Sequence, residues 1–506
     1  MVLLAKTNLT RQWRPRLLLI AVCLACLGTG QAEPTLDERE WRQVSSENFR
    51  IKSVLGEERT TELLRHLEIM RSSLGGGNAT GADADMRTVI VAVDNHDDYV
   101  AIGAPAYSAG FFFSNLRENA ILIEDSQQAS GIQVILHEYA HFLNKQSGRI
   151  RYPRWYEEGN AEYLSHSRLR DQAFEYGLAP EKHLAALSFS AWPPLRQTLE
   201  VTDVSALDET EGALFYAQSW LLVHYLYSLP GNEQAIPGML QDYARRVSAG
   251  MLPVPAFEQA FSLQADELED ALLKYFLERE FRSRSAPANT ALSGFLTRSR
   301  QLSKAETQLA LARMALRFEN IYGAEQWFNA VLVDENLRAQ GEAGLGRVLG
   351  FRGDAEGANE HFDKAINLMA WDFDIWMDYA QYWAQRTSTA HDGKARAWYA
   401  SRLIQSLESA LTISDATPEL NSLMGFAYLA KGNDTLDAID YLEAAADAAP
   451  HDQASRILLA NAYLYVGNYG EAIDVAESVL LFEHQPNEIT DAAHDVIDEA
   501  SQRRAQ

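Results

Sequence analysis

The sequence predicts an α+β domain followed by an all-α array of helical repeats. Three observations carry this. Thr88 to Val93 is a β-branched run set among helical patterns, the mark of a buried strand in a mixed domain. From about residue 300, small and aromatic residues return with a period of 34. Between them, Arg282 to Gly294 is rich in Ser, Ala, Pro and Asn, a linker composition. The 506-residue chain is too long for one ordinary domain, and its 47% hydrophobic content supplies more than one core. Lys plus Arg number 44 against 70 Asp plus Glu, a net charge of −26. Such a surface repels phosphate backbones and speaks against nucleic acid as a partner.

Residues 1–32 read as an export signal: Lys6, Arg11, Arg14 and Arg16, an apolar run from Leu17 to Leu27, then small residues to Ala32. The run is short for a membrane span. Both cysteines, Cys23 and Cys26, lie inside it, so a processed chain has no thiol or disulfide chemistry. The expected location is the bacterial periplasm or exterior. Membrane contact is expected only if the signal stays uncleaved or Cys26 is lipidated.

Residues 33–281 are expected to form the α+β domain, with a helical subdomain at its C-terminal end. Glu57 to Leu74 has helical spacing, with Leu63, Leu64, Leu67 and Met70 on one side. Gly75-Gly-Gly77 lacks a following Gly-Lys-Ser/Thr and reads as a loop, and Asn78-Ala-Thr80 is a sequon idle in a bacterial chain. Asp94, Asp97 and Asp98 around His96 could bind a cation, but a solvated loop after a strand is the favoured reading. Phe111 to Ser114 and Ala120 to Glu124 read as two strands joined by a polar turn. Ser130 to Lys145 reads as a helix, and Pro153 starts a second one running to about His166. Beyond it the pattern is mainly helical, strongest over Phe215 to Tyr227. The linker covers 282–299, the repeats 300–482, and 483–506 forms a capping helix and tail.

In the middle of the first of these two helices stands His137-Glu138-Tyr139-Ala140-His141. Residues one turn apart point the same way, so both imidazoles can hold one zinc ion. Glu138 sits about 100° round the helix, beside the metal's open position, where it can take a proton from water. Two ordinary helix histidines beside a surface Glu share this spacing, so a second motif is needed. The second helix supplies it: Trp155-Tyr-Glu-Glu158-Gly-Asn-Ala-Glu162-Tyr163.

With these two motifs the sequence resembles the gluzincin metallopeptidases, relatives of thermolysin and the zinc aminopeptidases. The resemblance implies a zincin-like α+β fold and one Zn²⁺ per chain. It implies His137, His141 and Glu158 as ligands, Glu138 as general base, and Glu162 as the acid supporting a ligand histidine. Glu157 is the rival ligand, but it points elsewhere round the helix. Tyr216, in Phe215-Tyr-Ala-Gln-Ser219, stands at a plausible distance for the phenol that such enzymes aim at the oxyanion, although the usual Tyr-Glu-Lys-Gly context is missing. A buried core tyrosine fits it equally well, and His224 reads as an ordinary helix histidine. In zincins an edge strand before the metal helix pairs with the substrate backbone, and the stretch 110–124 is its counterpart here. The Gly-x-Met-Glu-Asn motif that grips a free amine is absent, which favours an endopeptidase.

In the C-terminal part, Ala324 and Ala358 are 34 residues apart, as are Ala438 and Ala472. Leu345, Gly346, Gly353, Phe362 and Ala365 accompany Ala358; Met424, Gly425, Tyr428, Gly432, Ala445 and Pro450 accompany Ala438; Leu459, Tyr463 and Gly467 precede Ala472. These positions resemble the tetratricopeptide repeat, which implies a solenoid that binds protein substrates or partners. The whole reads as an exported zinc endopeptidase that recruits proteins through its repeats. The rival reading is a repeat-based scaffold or chaperone-like envelope assembly factor, with a structural or silent zinc site.

Overall fold

The computed structural model describes residues 35–74, 88–127, 130–146, 152–170, 173–288, 298–432, 435–481 and 488–505. The expected signal with its two cysteines, Gly75–Gly77 and the Asn78 sequon lie outside them. No helix of the described residues is long and apolar enough to cross a membrane.

The first domain is built on a six-stranded sheet. In chain order its parts are β1 (Arg42–Ser45), β2 (Phe49–Ser53), α1 (Glu57–Leu74), β3 (Thr88–Val93), α2 (His96–Ile102), β4 (Gly110–Ser114), β5 (Asn119–Glu124) and α3 (Gly131–Gln146). A last strand, Arg298–Gln301, joins from far along the chain and lies antiparallel to β1, beyond which no further strand pairs among the described residues. β3 runs parallel to both β2 and β5, and β4 pairs antiparallel to β5 and forms the opposite edge. Ile90 and Ala92 face one layer, while Val91 and Val93 face the other. Burial on both faces is why this strand reads as an unbroken apolar run.

One face of the sheet packs on Leu63, Leu67 and Met70 of α1 and on Ile135, Leu136 and Tyr139 of α3. That packing holds the histidine-bearing helix across the sheet. The acidic stretch around His96 is the start of α2, not a loop: Asn95 caps it through the Asp98 N–H, and Arg39 pairs with Asp94 and Asp98. His96 Nδ1 lies 2.8 Å from Glu124 Oε2.

Next come α4 (Arg154–Ser165), the hairpin β6 (Ser167–Arg170) and β7 (Ala173–Tyr176), and then α5 (Glu181–Phe189), α6 (Leu195–Glu200), α7 (Glu209–Ser228), α8 (Asn232–Ser248), α9 (Pro253–Phe261) and α10 (Ala265–Glu278). α7 begins with a capping box of Asp208 and Glu211. Leu214, Phe215, Trp220, Leu221, Leu222, Val223 and Leu226 go right round it, so it runs through the middle of the helical cluster.

The span expected to be a linker is partly structural. Arg284–Pro287 forms β8, which pairs with β7, and the Arg298–Gln301 strand is β9 of the main sheet. Both are polar edge strands whose pairing comes from a neighbour, so their own side chains carry no strand pattern. The repeats begin at the capping box Ser303–Glu306, with α11 (Lys304–Arg317) and α12 (Ile321–Val331), α13 (Arg338–Arg352) and α14 (Ala355–Leu368), α15 (Phe373–Thr389) and α16 (Gly393–Leu411), α17 (Pro418–Lys431) and α18 (Thr435–Ala448), α19 (Gln453–Val466) and α20 (Tyr469–Leu480), and the closing α21 (Glu488–Arg504). Gly425 faces Leu442 so closely that a Cβ there would lie 2.4 Å from its Cγ, which is how small residues let paired helices meet. The repeats are not a separate unit on a tether. Leu302, Leu311 and Met314 join Trp41, Val91, Val93, Tyr99 and Leu122 in one core, so α11 covers the second face of the sheet.

Candidate metal centre

α3 and α4 cross with their functional faces toward each other. Among the described residues, His137, His141 and Glu158 form a group close enough to hold a metal ion. The two Nε2 atoms are 3.2 Å apart, and each lies 3.5 Å from Glu158 Oε2. A tetrahedral zinc ion with bonds of about 2.0–2.1 Å sets its ligand atoms about 3.3 Å apart. These residues therefore fit zinc in both donor type and spacing.

The electrostatics point the same way. Burial opposes charge on both rings, yet Glu158 and Glu162 outweigh it at His137, and Glu158 does so at His141; both imidazoles are pushed up. Burial also opposes charge on Glu158 and Glu162, and the histidines beside them hold both carboxyls down. With Glu138, three carboxylates act on the two imidazole rings. A divalent cation at their focus would supply the positive charge that ring protons otherwise supply.

Glu162 Oε1 lies 3.1 Å from His137 Nδ1, the nitrogen turned away from the focus. Its other oxygen is 2.8 Å from His183 Nε2, and His166 Nδ1 is 3.4 Å from it. Arg154 Nη1 donates to Glu157 at 3.0 Å and lies 3.5 Å from Glu158 Oε1. Glu157 thus faces Arg154 and is outside the cluster. Sequence reasoning misses both histidines around Glu162: His183 arrives from α5, which carries no motif, whereas His166 ends α4 at i+4 from Glu162, a spacing that could have been read. The Arg154–Glu158 contact is open to reading, since it is an i, i+4 pair on one helix.

Glu138 is pushed up, chiefly by burial, while the two histidines pull it down. It abuts the edge strand: a Cβ on Gly110, the first residue of β4, would lie 2.7 Å from Glu138 Oε1. Glycine there lets strand and carboxylate approach. A second close approach brings α7 to the site. A Cβ on Gly159 would meet the Ser219 carbonyl oxygen at 2.3 Å. Tyr216, one turn before Ser219, has its ring 6.3 Å from that of His137. Burial and the charges of Glu158, Glu162 and Glu138 push its phenol up and keep it protonated. His224 is placed differently. It is 2% exposed, with Nδ1 2.8 Å from Tyr275 Oη and Nε2 3.1 Å from the Gly177 carbonyl oxygen, a core histidine.

Comparison with known proteins finds the repeats. Residues 430–492 match the tetratricopeptide repeat family. No curated protein matches the chain. Similar solved structures include a thermophilic tetratricopeptide-repeat protein of Thermus thermophilus, 17% identical over 38% of this chain and 98% of that one, at a TM-score of 0.32. The APC/C hetero-tetramer Cut9–Hcn1 is 16% identical over 64% of this chain and 63% of that one, at 0.32. A signal-transduction ATPase with a tetratricopeptide-repeat sensor, from Pyrococcus horikoshii, is 14% identical over 90% and 78%, at 0.30. The family match thus places a tetratricopeptide repeat at residues 430–492, within the helical array that follows the α+β domain.

Proposed function

We propose that the chain is an exported zinc-dependent endopeptidase whose repeats bind protein substrates or partners. One observation carries this: His137, His141 and Glu158 converge at zinc-ligand spacing, with Glu138 and Tyr216 on the rim. Zinc bound there would supply Lewis acidity toward a peptide carbonyl and toward water. Glu138 takes the proton of the attacking water and later hands it to the leaving amine. Tyr216, held protonated, donates to the oxyanion as charge develops. Glu162 accepts from His137 Nδ1–H, so the ring presents its other nitrogen. Strand β4 offers its free edge to an extended peptide. The basic and apolar segment at residues 1–32 supports action in the periplasm or outside the cell.

A second reading is a scaffold in which the repeats carry the function and the metal site is structural or silent. The family match favours it, since it falls on the repeats, at residues 430–492. The experiment that separates the two is Glu138→Gln. A peptidase loses cleavage while keeping its metal, whereas a scaffold loses nothing in the cell until the 424–472 repeats are disrupted.

A further inference from the structure

The hairpin between β4 and β5 reaches into the repeats. Its turn carries Arg117, whose side chain is 14% exposed. Arg117 Nη1 donates to Asp378 Oδ1 at 2.7 Å, and Nη2 donates to Asp374 Oδ1 at 2.9 Å and to the Asp374 carbonyl at 3.0 Å. Nε lies 3.9 Å from Glu419 Oε2. Asp374 and Asp378 are one turn apart on α15, and Glu419 opens α17. Arg347 of α13 approaches Asp378 to 3.4 Å, and Gln381 donates to Glu419. Two successive first helices of the array, α15 and α17, therefore converge on one guanidinium, and α13 adds Arg347 to the same cluster. Arg317 of α11 pairs with Glu118, the next residue of the turn. Burial works against the charge on Arg117, and the three carboxylates outweigh it.

The strand leading to this turn is β4, the sheet edge beside Glu138. Its alternate residues face opposite ways. Phe111 and Phe113 pack on Phe318 from the repeats, with ring centroids 5.3 and 4.7 Å away. Phe112 turns to Phe142, one residue after the second histidine, at 6.1 Å. Among the described residues, β4 has a strand on only one side. Its position against α3 thus depends on α3 itself at one end and on the repeats at its outer face and tip.

We infer that Arg117 is a positioning residue for the proposed cleavage. By tying the hairpin tip to Asp374 and Asp378, it holds the edge of β4 at the height where an extended peptide lies beside Glu138. The inference rests on the peptidase reading. It makes the repeats part of the cleft's architecture in addition to any partner they bind. It also explains why so many carboxylates are aimed at one arginine far from the metal.

The test uses the full chain loaded with zinc. Arg117→Ala should raise KM for an extended peptide about tenfold, since a loosened strand edge loses pairing with the peptide that ground state and transition state share. kcat and zinc content should stay within about twofold, because the metal helices are untouched. Amide exchange over 110–124 should speed up. Arg117→Lys, which keeps the charge but not the two-pronged hold, should fall between. Asp374→Asn, a milder cut from the repeat side, should move KM and exchange in the same direction. An unchanged KM in folded Arg117→Ala would overturn the inference. So would a fall in kcat and zinc in step with melting temperature, which marks a general structural role. A zinc-loaded wild type that cleaves nothing would overturn the proposed function, and this inference with it. An active wild type with an indifferent Arg117→Ala would overturn the inference alone.

Discussion

Gly159→Ala places one methyl group where two helices touch. On an open helix face this change stabilises, by about 0.5–1 kcal/mol. Here the new Cβ would lie 2.3 Å from the Ser219 carbonyl oxygen, 2.6 Å from its carbon and 2.8 Å from Val223 Cγ2. Ordinary contact needs about 3.5 Å. The backbone of α7 has no flexible end to move aside, so α4 and α7 must separate by about 1 Å. Overpacking of this kind costs about 1–3 kcal/mol, which exceeds the helix-propensity gain. The melting temperature should fall by a few degrees, at about 2–4 °C per kcal/mol for a domain of this size. Activity should suffer more, because α4 carries Glu158 and Glu162 while α7 carries Tyr216. A displacement of about 1 Å costs up to about a hundredfold in rate. Calorimetry and peptide cleavage read the two effects. Gly212→Ala is the control: it lies on α7 with nothing within 4 Å of the added carbon, and it should leave stability unchanged or raise it. A Gly159→Ala protein that melts as high as wild type and cleaves normally would refute the close approach of the two helices.

Two further outcomes follow from the geometry. Tyr216→Phe should lower kcat about a hundredfold with little change in KM, as expected for a donor acting on the oxyanion; an unchanged kcat in a folded protein would return Tyr216 to the core. His224 is held neutral mainly by burial, at a pKa of about 4, and it charges near 6.5 once unfolded. The unfolded chain therefore binds more protons between those values. Stability should rise with pH from about 4 to 6.5, by up to about 3 kcal/mol, and stay level above. His224→Gln should flatten that slope in urea titrations across pH 4–7, and parallel profiles for the two proteins would refute the assignment.

What the sequence displayed was local order. Glu57–Leu74 and Thr88–Val93 are α1 and β3 to the residue, because a one-sided apolar stripe and a two-sided apolar run need no partner to be recognised. The helices carrying the two motifs lie within a residue or two of their expected ends. The repeat positions were legible because helix pairs demand small residues at fixed spacing. Hidden were the strands made by their neighbours. Arg298–Gln301 is exposed at every residue and has no apolar side to betray it. The β1–β2 hairpin, Arg42–Ser45 and Phe49–Ser53, is short and interrupted by Arg and Lys. In the site, the residues of the two motifs were found and those outside them were not: His166 and His183 on Glu162, and Arg117 joining residues some 257 positions away. The expected linker hid the largest correction, that α11 of the repeats finishes the sheet's core.

The most direct test of the central claim is Glu138→Gln in the zinc-loaded full chain, measured for metal content and for peptide cleavage. The glutamine keeps the shape but cannot take a proton, and it touches neither His137 nor His141 as a ligand. The account predicts one zinc per chain, as in wild type, and cleavage lowered by about 10²–10⁴-fold. A deletion strain carrying this variant should behave as the deletion does. Wild-type cleavage by Glu138→Gln, or full rescue of the deletion by it, would contradict the account and leave the repeats as the working part of the molecule.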